Sequence, residues 1–247
     1  MAHQFNFGTG TATLTPVGGG APIPFGSITA ASVDFDGDVK MLYGSNKFPD
    51  DVAIGKQKIT GKITFGRLDL NLMNACFFGQ AIAIGQTLQA TNEAGVVPAA
   101  SPYTVSAANA ANFQQDLGAF YASNGQQLVQ VAAGSEAVGK YSVSASGVYT
   151  FSAADEGKGV LLVYSYGSTT TGQTLAIGNQ LMGNIPTFQL NLSNNTKGKS
   201  YNLQLYACTA SKLSQPFKQD DYTETEVDFS AFADPAGRVA NWSITGG

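Results

Sequence analysis

Apolar and polar residues alternate with a period of two through much of this chain, the pattern of strands that bury one face and leave the other wet. Ile59, Ile63 and Phe65 alternate with Thr60, Lys62 and Thr64. Phe188, Leu190 and Leu192 alternate with Gln189, Asn191 and Ser193, and Tyr201, Leu203, Leu205 and Ala207 with Asn202, Gln204 and Tyr206. The turn-rich run Asn194-Asn195-Thr196-Lys197-Gly198 between the last two predicts a hairpin. Val227, Phe229 and Ala231 mark a further strand, and Trp242 with Ile244 one more. A single segment departs from the period: Leu68, Leu72, Met73, Cys76 and Phe77 follow helical spacing, with Asp69 near the start and Gly79 as a stop. It predicts a helix of about three turns packed against a sheet.

The middle of the chain changes character. Gln80 to Asn112 is rich in Ala, Gly, Asn and Pro and reads as linker plus loose strand. From Phe120 to Tyr166 short strands follow closely, at Leu128–Val131, Lys140–Val143, Val148–Ser152 and Gly159–Tyr166, separated by turns such as Ser123-Asn124-Gly125 and Ser146-Gly147. This predicts a β body over residues 1–85 and 170–247, interrupted by a small β module over 86–169.

Composition narrows the function. Charged residues make up 12% of the 247, about half the ~25% of an ordinary domain. Thirteen basic against 17 acidic side chains give −4, which argues against a protein that grips nucleic acid through its phosphates. The one histidine, His3, leaves little material for histidine catalysis. Cys76 and Cys208 have no C-x-x-C spacing and read as half-buried free thiols. No stretch of about 18 apolar residues occurs, so no membrane segment is expected. The first residues carry no basic segment followed by an apolar run, so no secretory signal is expected either.

Motifs for chemistry fail on inspection. Gly55-Lys56-Gln57-Lys58-Ile59-Thr60-Gly61-Lys62 has five intervening residues where a phosphate loop has four, and Ile63 where it needs Ser or Thr. Asp34, Asp36 and Asp38 lack the glycine and glutamate spacing of an EF-hand. No catalytic constellation with assigned roles can be assembled, so no catalytic residue, metal site or cofactor is expected. The acids themselves form two strips: Asp34, Asp36 and Asp38 opposite Val33, Phe35 and Val39, and Glu224, Glu226 and Asp228 on another strand. Six of the 17 acids lie in these strips, and their counterpart is Lys56, Lys58 and Lys62 on one strand face.

Several stretches resemble the major tail tube proteins of long-tailed bacteriophages. They are Met41-Leu42-Tyr43-Gly44-Ser45-Asn46-Lys47-Phe48-Pro49 with Val52-Ala53-Ile54-Gly55; Asn179-Gln180-Leu181-Met182-Gly183 leading into Pro186-Thr187-Phe188; and Ser211-Lys212-Leu213-Ser214-Gln215-Pro216 with Asp228-Phe229-Ser230-Ala231-Phe232-Ala233-Asp234 after it. The segment from Gly147 to Tyr166 also resembles phage virion sequence. None of these is a catalytic signature; their order and number carry the resemblance. It implies a mainly β fold of two packed antiparallel sheets, sandwich- or barrel-like, with one flanking short α-helix and, here, the inserted module. It further implies a structural virion protein that self-assembles into hexameric rings, stacked as a tube for genome delivery. Partners would be other copies of itself, other tail proteins (tape measure, terminator, baseplate or sheath) and double-stranded DNA passing through without specific binding. Assembly would occur in the bacterial host cytoplasm, and the product would sit in the virion tail.

In that family a long loop reaches the neighbouring ring. By position, Lys40 to Lys56 is the candidate, with Tyr43, Lys47, Phe48, Pro49, Asp50 and Asp51 at its centre. An N-terminal arm would make a second contact. The tube gives the acidic strips a role: a lumen lined by carboxylates, with the lysines lying away from it, repels a polyanion. Two other readings remain at this point, a β-sandwich carbohydrate-binding module and a non-repeating tail or baseplate component.

Overall fold

The computed structural model describes residues 7–245; His3 lies outside them. The chain is mainly β, with packed antiparallel sheets and one short helix in a sandwich-like arrangement. Strands run in the order β1 (Thr11–Pro16), β2 (Ile23–Pro24), β3 (Ile28–Leu42), β4 (Asp51–Phe65), β5 (Ile82–Val96), β6 (Thr104–Ser106), β7 (Phe113–Tyr121) and β8 (Val129–Gln130). They continue as β9 (Lys140–Val143), β10 (Val148–Phe151), β11 (Gly159–Leu175), β12 (Phe188–Thr196), β13 (Lys199–Ser214), β14 (Thr225–Ala231) and β15 (Ala240–Ile244). Two compact units result: Met1–Ala81 with Leu175–Gly247, and Ile82–Thr174.

The first unit is built on one sheet in the order β2-β1-β12-β13-β14-β4-β3, with β15 on β13 as well. Long β13 serves two neighbours along one edge, β15 at Tyr201–Leu205 and β14 at Cys208–Ser214. The alternating residues of the central strands supply the core: Ile63, Phe65, Phe188, Leu190, Leu203, Leu205, Val227 and Phe229 are all buried. A register shift in the β12–β13 ladder lets Ala207 and Cys208, adjacent in sequence, both turn inward. The β12–β13 hairpin closes tighter than the five-residue turn expected, on Lys197-Gly198, with φ of 53° and 76°. Positive φ at both positions is the geometry that matches strand twist. Just before β1, Thr9 Oγ1 donates to the carbonyl of Ile28 at the start of β3, at 3.0 Å. Gly61 permits the closest packing: a Cβ there would lie 2.4 Å from Phe229 Cζ and 2.6 Å from the Ser32 carbonyl oxygen.

The helix is shorter than the spacing predicts. Asp69 caps it by accepting from the amides of Asn71 (2.9 Å) and Leu72 (3.3 Å), and α1 covers only Leu70–Met73. A π-turn follows over Asn74–Phe78, closed by the Gly79 amide on Asn74 O at 2.8 Å, with Gly79 left-handed at φ 62°. The Asn74 side chain clasps the backbone of Gln80, accepting from its amide and donating to its carbonyl. Only Leu72, Met73 and Cys76 of the expected stripe are buried; Leu68 precedes the helix and Phe77 is turned outward by the widened turn.

The second unit holds a three-stranded sheet, β5-β11-β7, and a four-stranded one, β6-β10-β9-β8, in which β8 and β9 are parallel. Here the stretch read as linker is a 15-residue strand, β5, and Phe113–Tyr121 is a strand too. Pairing with β11 supplies what weak β composition did not. The unit's core is rich in tyrosine, each hydroxyl tied to a carboxylate. Tyr141 and Tyr149 donate to Asp116, Tyr164 to Glu93, and Tyr121 to the fully buried Asp155 at 2.6 Å. Lys158 Nζ meets Asp155 at 2.7 Å and balances its charge. Both cysteines are buried free thiols, pushed up to about 12 by burial. Among the described residues no helix is long and apolar enough to cross a membrane.

Two outcomes follow from this packing. Gly61→Ala should destabilise the first unit by about 1–3 kcal/mol, read as a lowered urea midpoint, because Phe229 and the β3 backbone must both shift. Burial, then the bonds to Asp116, raises the ionisation of Tyr141 and Tyr149 above the ordinary phenol value. Their contribution is therefore whole below about pH 10 and is lost as pH rises through the elevated folded value. Tyr149→Phe should cost about 1–3 kcal/mol at neutral pH by taking a donor from Asp116. It should also flatten the alkaline loss of stability, measured as denaturant midpoint against pH.

Candidate functional site

Two features of the first unit carry the residues singled out from the sequence. The expected loop over Lys40 to Lys56 is largely strand. β3 and β4 stay paired out to Leu42 and Asp51, and the Asp50 amide donates to the Leu42 carbonyl at 2.7 Å. Only residues 43–50 form the tip, so the feature is a long hairpin ribbon. β4 keeps a second neighbour, β14, only from Ile59 to Phe65. Beyond that point the ribbon has no third strand and no core behind it. Its apolar side chains are consequently exposed: Val39, Met41, Val52 and Ile54 along the strands, Tyr43 and Phe48 at the tip, the last at 81%. Val39, expected to face inward with Val33 and Phe35, is 48% exposed, because a register shift between Gly37 and Val39 breaks the alternation and nothing covers that face. Lys47 and Asp50 are exposed at the tip and Pro49 is half-buried; Asp51, the exposed first residue of β4, accepts at Oδ1 from the amide of Val52 at 2.9 Å.

The acidic strips lie closer together than two separate strands imply. Cross-strand partners share a face. Asp34 is opposite Thr60 and Asp36 opposite Lys58, while Asp228 is opposite Lys62 and Glu226 opposite Thr64. The outer face of β3, β4 and β14 therefore presents both strips with the lysine row of β4 between them. The lysines do not lie away from the acids. Lys62 Nζ reaches Glu226 at 2.8 Å, Lys212 reaches the other oxygen of Glu226 at 3.4 Å, and Lys58 reaches Asp36 at 3.3 Å. Asp38, beyond the register shift, pairs with Lys40 at 2.7 Å. Glu224 precedes β14 and is half-buried. The bond from Lys62 holds the Glu226 carboxyl below the ordinary glutamate range, and Glu226 in turn raises Lys62.

A third feature was not singled out from the sequence. Trp242 of β15 stacks on Phe35 of β3, ring centres 5.5 Å apart at 17°, and Tyr201 meets it edge-on at 5.7 Å. β15 is exposed throughout, Trp242 at 52%. The usable signal was the lone tryptophan in a short strand with no long apolar run. Residues 176–187 form a second exposed apolar stretch outside strands, with Leu181 at 88% and Met182 fully open. At the start of the described chain, Gly8 accepts from the Asn194 side chain at 2.7 Å, so this part of the N-terminal arm lies on its own unit. Among the described residues no group of three His, Cys, Asp or Glu side chains could hold a metal ion. No family model matches the chain, and no curated protein matches it.

Glu226 gives the outer face a pH signature. Its depressed folded value makes its contribution complete above the ordinary glutamate value of about 4.3 and lost as pH falls through the folded one. Glu226→Gln should lower the urea midpoint modestly at pH 7, with the difference from wild type shrinking as pH falls below that value, so that the acid dependence weakens.

Proposed function

We propose that this chain is a structural subunit that assembles with copies of itself into stacked rings, forming the tail tube of a long-tailed phage through which the genome passes. The observation that carries the reading is the β3–β4 ribbon. A chain with few charges carries a two-stranded arm lined by exposed apolar side chains, from Val39 and Met41 through Tyr43 and Phe48 to Val52 and Ile54. Exposed apolar surface on that scale marks an interaction site, and aromatic anchors at a tip suit burial in a neighbour. The subunit works by assembly and performs no catalysis; its partners are further copies and the other tail proteins.

The outer face of β3, β4 and β14 is the surface best suited to line a channel for DNA. Four carboxylates, Asp34, Asp36, Glu226 and Asp228, stand with three lysines, Lys58, Lys62 and Lys212. All three lysines are engaged by carboxylates. Lysines tied in this way release few phosphate counterions, so a duplex slides past without binding. The uncharged Ser, Thr, Asn and Gln positions elsewhere allow close contact between copies without stripping water from many ions.

Electron microscopy of the purified protein tests the reading. Wild type should form rings or tubes on its own. Replacing Gly44–Pro49 by a two-residue Asn-Gly turn should leave a folded, soluble monomer that forms no tubes. A wild type that stays monomeric at every concentration would remove this function.

A further inference from the structure

We propose that the groove between edge strand β3 and strands β12, β13 and β15 of the first unit receives the ribbon tip of a second copy, with Phe48 inserted against Trp242. The proposal rests on the self-assembly reading and adds the receiving surface. The groove holds about 440 Å³ and is lined by Ala31, Val33 and Phe35 of β3, Leu192 of β12, Leu203 of β13 and Trp242 of β15. Its other lining residues carry no charge either. About 150 Å³ of apolar space accommodates a benzene ring, so a phenylalanine fits with room for part of its neighbours. Phe35 and Trp242 are each about half exposed, at 49% and 52%, although they stack on one another. An aromatic floor is therefore laid but uncovered.

The same chain carries the matching knob, Phe48, and holds it away from its own groove. Val33 and Phe35 sit at the base of the ribbon. Nine residues of β3, interrupted by one register shift after Gly37, separate the Val33–Gly61 rung from the Leu42–Asp51 rung. At ~3.3 Å per residue the tip stands up to roughly 30 Å from the groove. Knob and hole on different surfaces of one molecule form a heterologous contact, which gives a ring where its rotation closes and an open stack where it does not. A second copy is the occupant with a tip at the correct reach, and the ribbon length sets the order of the axial repeat.

Trp242 is the only tryptophan, so its emission reports on the groove alone. Acrylamide quenching of full-length protein should fall several-fold on passing from monomer to tubes. Phe48→Ser should raise the concentration needed for assembly by roughly tenfold or more. Oxidation of mixed F48C and A31C copies under assembling conditions should give a disulfide joining residue 48 of one chain to residue 31 of another, located by peptide mapping. Tubes in which Trp242 stays as quenchable as in the monomer would overturn the groove while leaving self-assembly standing. Protection of Trp242 without the 48–31 link would also overturn it, by assigning the groove to another segment, such as the chain's own first six residues. Absence of any assembly would remove both proposals together.

Discussion

The ribbon depends on a mismatch of strand lengths. β4 is 15 residues long and β14 is seven. Over the rungs they share, Ile59 to Phe65 against Ala231 to Thr225, β4 has a neighbour on each side and a core beneath. There Phe229 lies across Gly61, a contact so close that no side chain is admitted. Where β14 stops, the β3–β4 pair continues alone. One hairpin is thus core at its base and arm at its tip.

That continuity joins the surfaces that bear on assembly. The inner side of β3 supplies Val33 and Phe35 to the groove with Trp242, and its outer side supplies Asp34 and Asp36 to the charged face. The outer face is a mixed lattice of carboxylates flanking lysines, with Glu226 held by two lysines at once. The second unit solves a different problem with the same economy of charge. Its buried tyrosines hide large rings and spend each hydroxyl on a carboxylate, Asp116, Asp155 or Glu93, with one close lysine among the three.

Much of this was legible in advance. Alternation located β12, β13 and β14, and Asp69 and Gly79 bounded the helix, because strand faces and helix ends are local properties. The helix came out short because Asn74 and Gln80 close a π-turn through side-chain contacts that hydrophobic spacing does not record. The composition of β5 predicts a linker because Ala, Gly and Asn are poor strand formers, and long-range pairing with β11 overrides that preference. The acidic strips were found, but their shared face and their lysine partners required the register of β3, β4 and β14. The groove required the meeting of chain segments some 200 positions apart, as with Phe35 and Trp242.

By itself the sequence determined which residues of each strand share a face, since a pleat turns successive side chains to opposite sides whatever surrounds it. Tertiary structure alone decided whether anything covers that face. Val52 and Ile54 belong to the same strand as Ile63 and Phe65, yet the first pair stands in water and the second is sealed. The difference is where β14 ends, and burial is a property of neighbours that no single strand encodes.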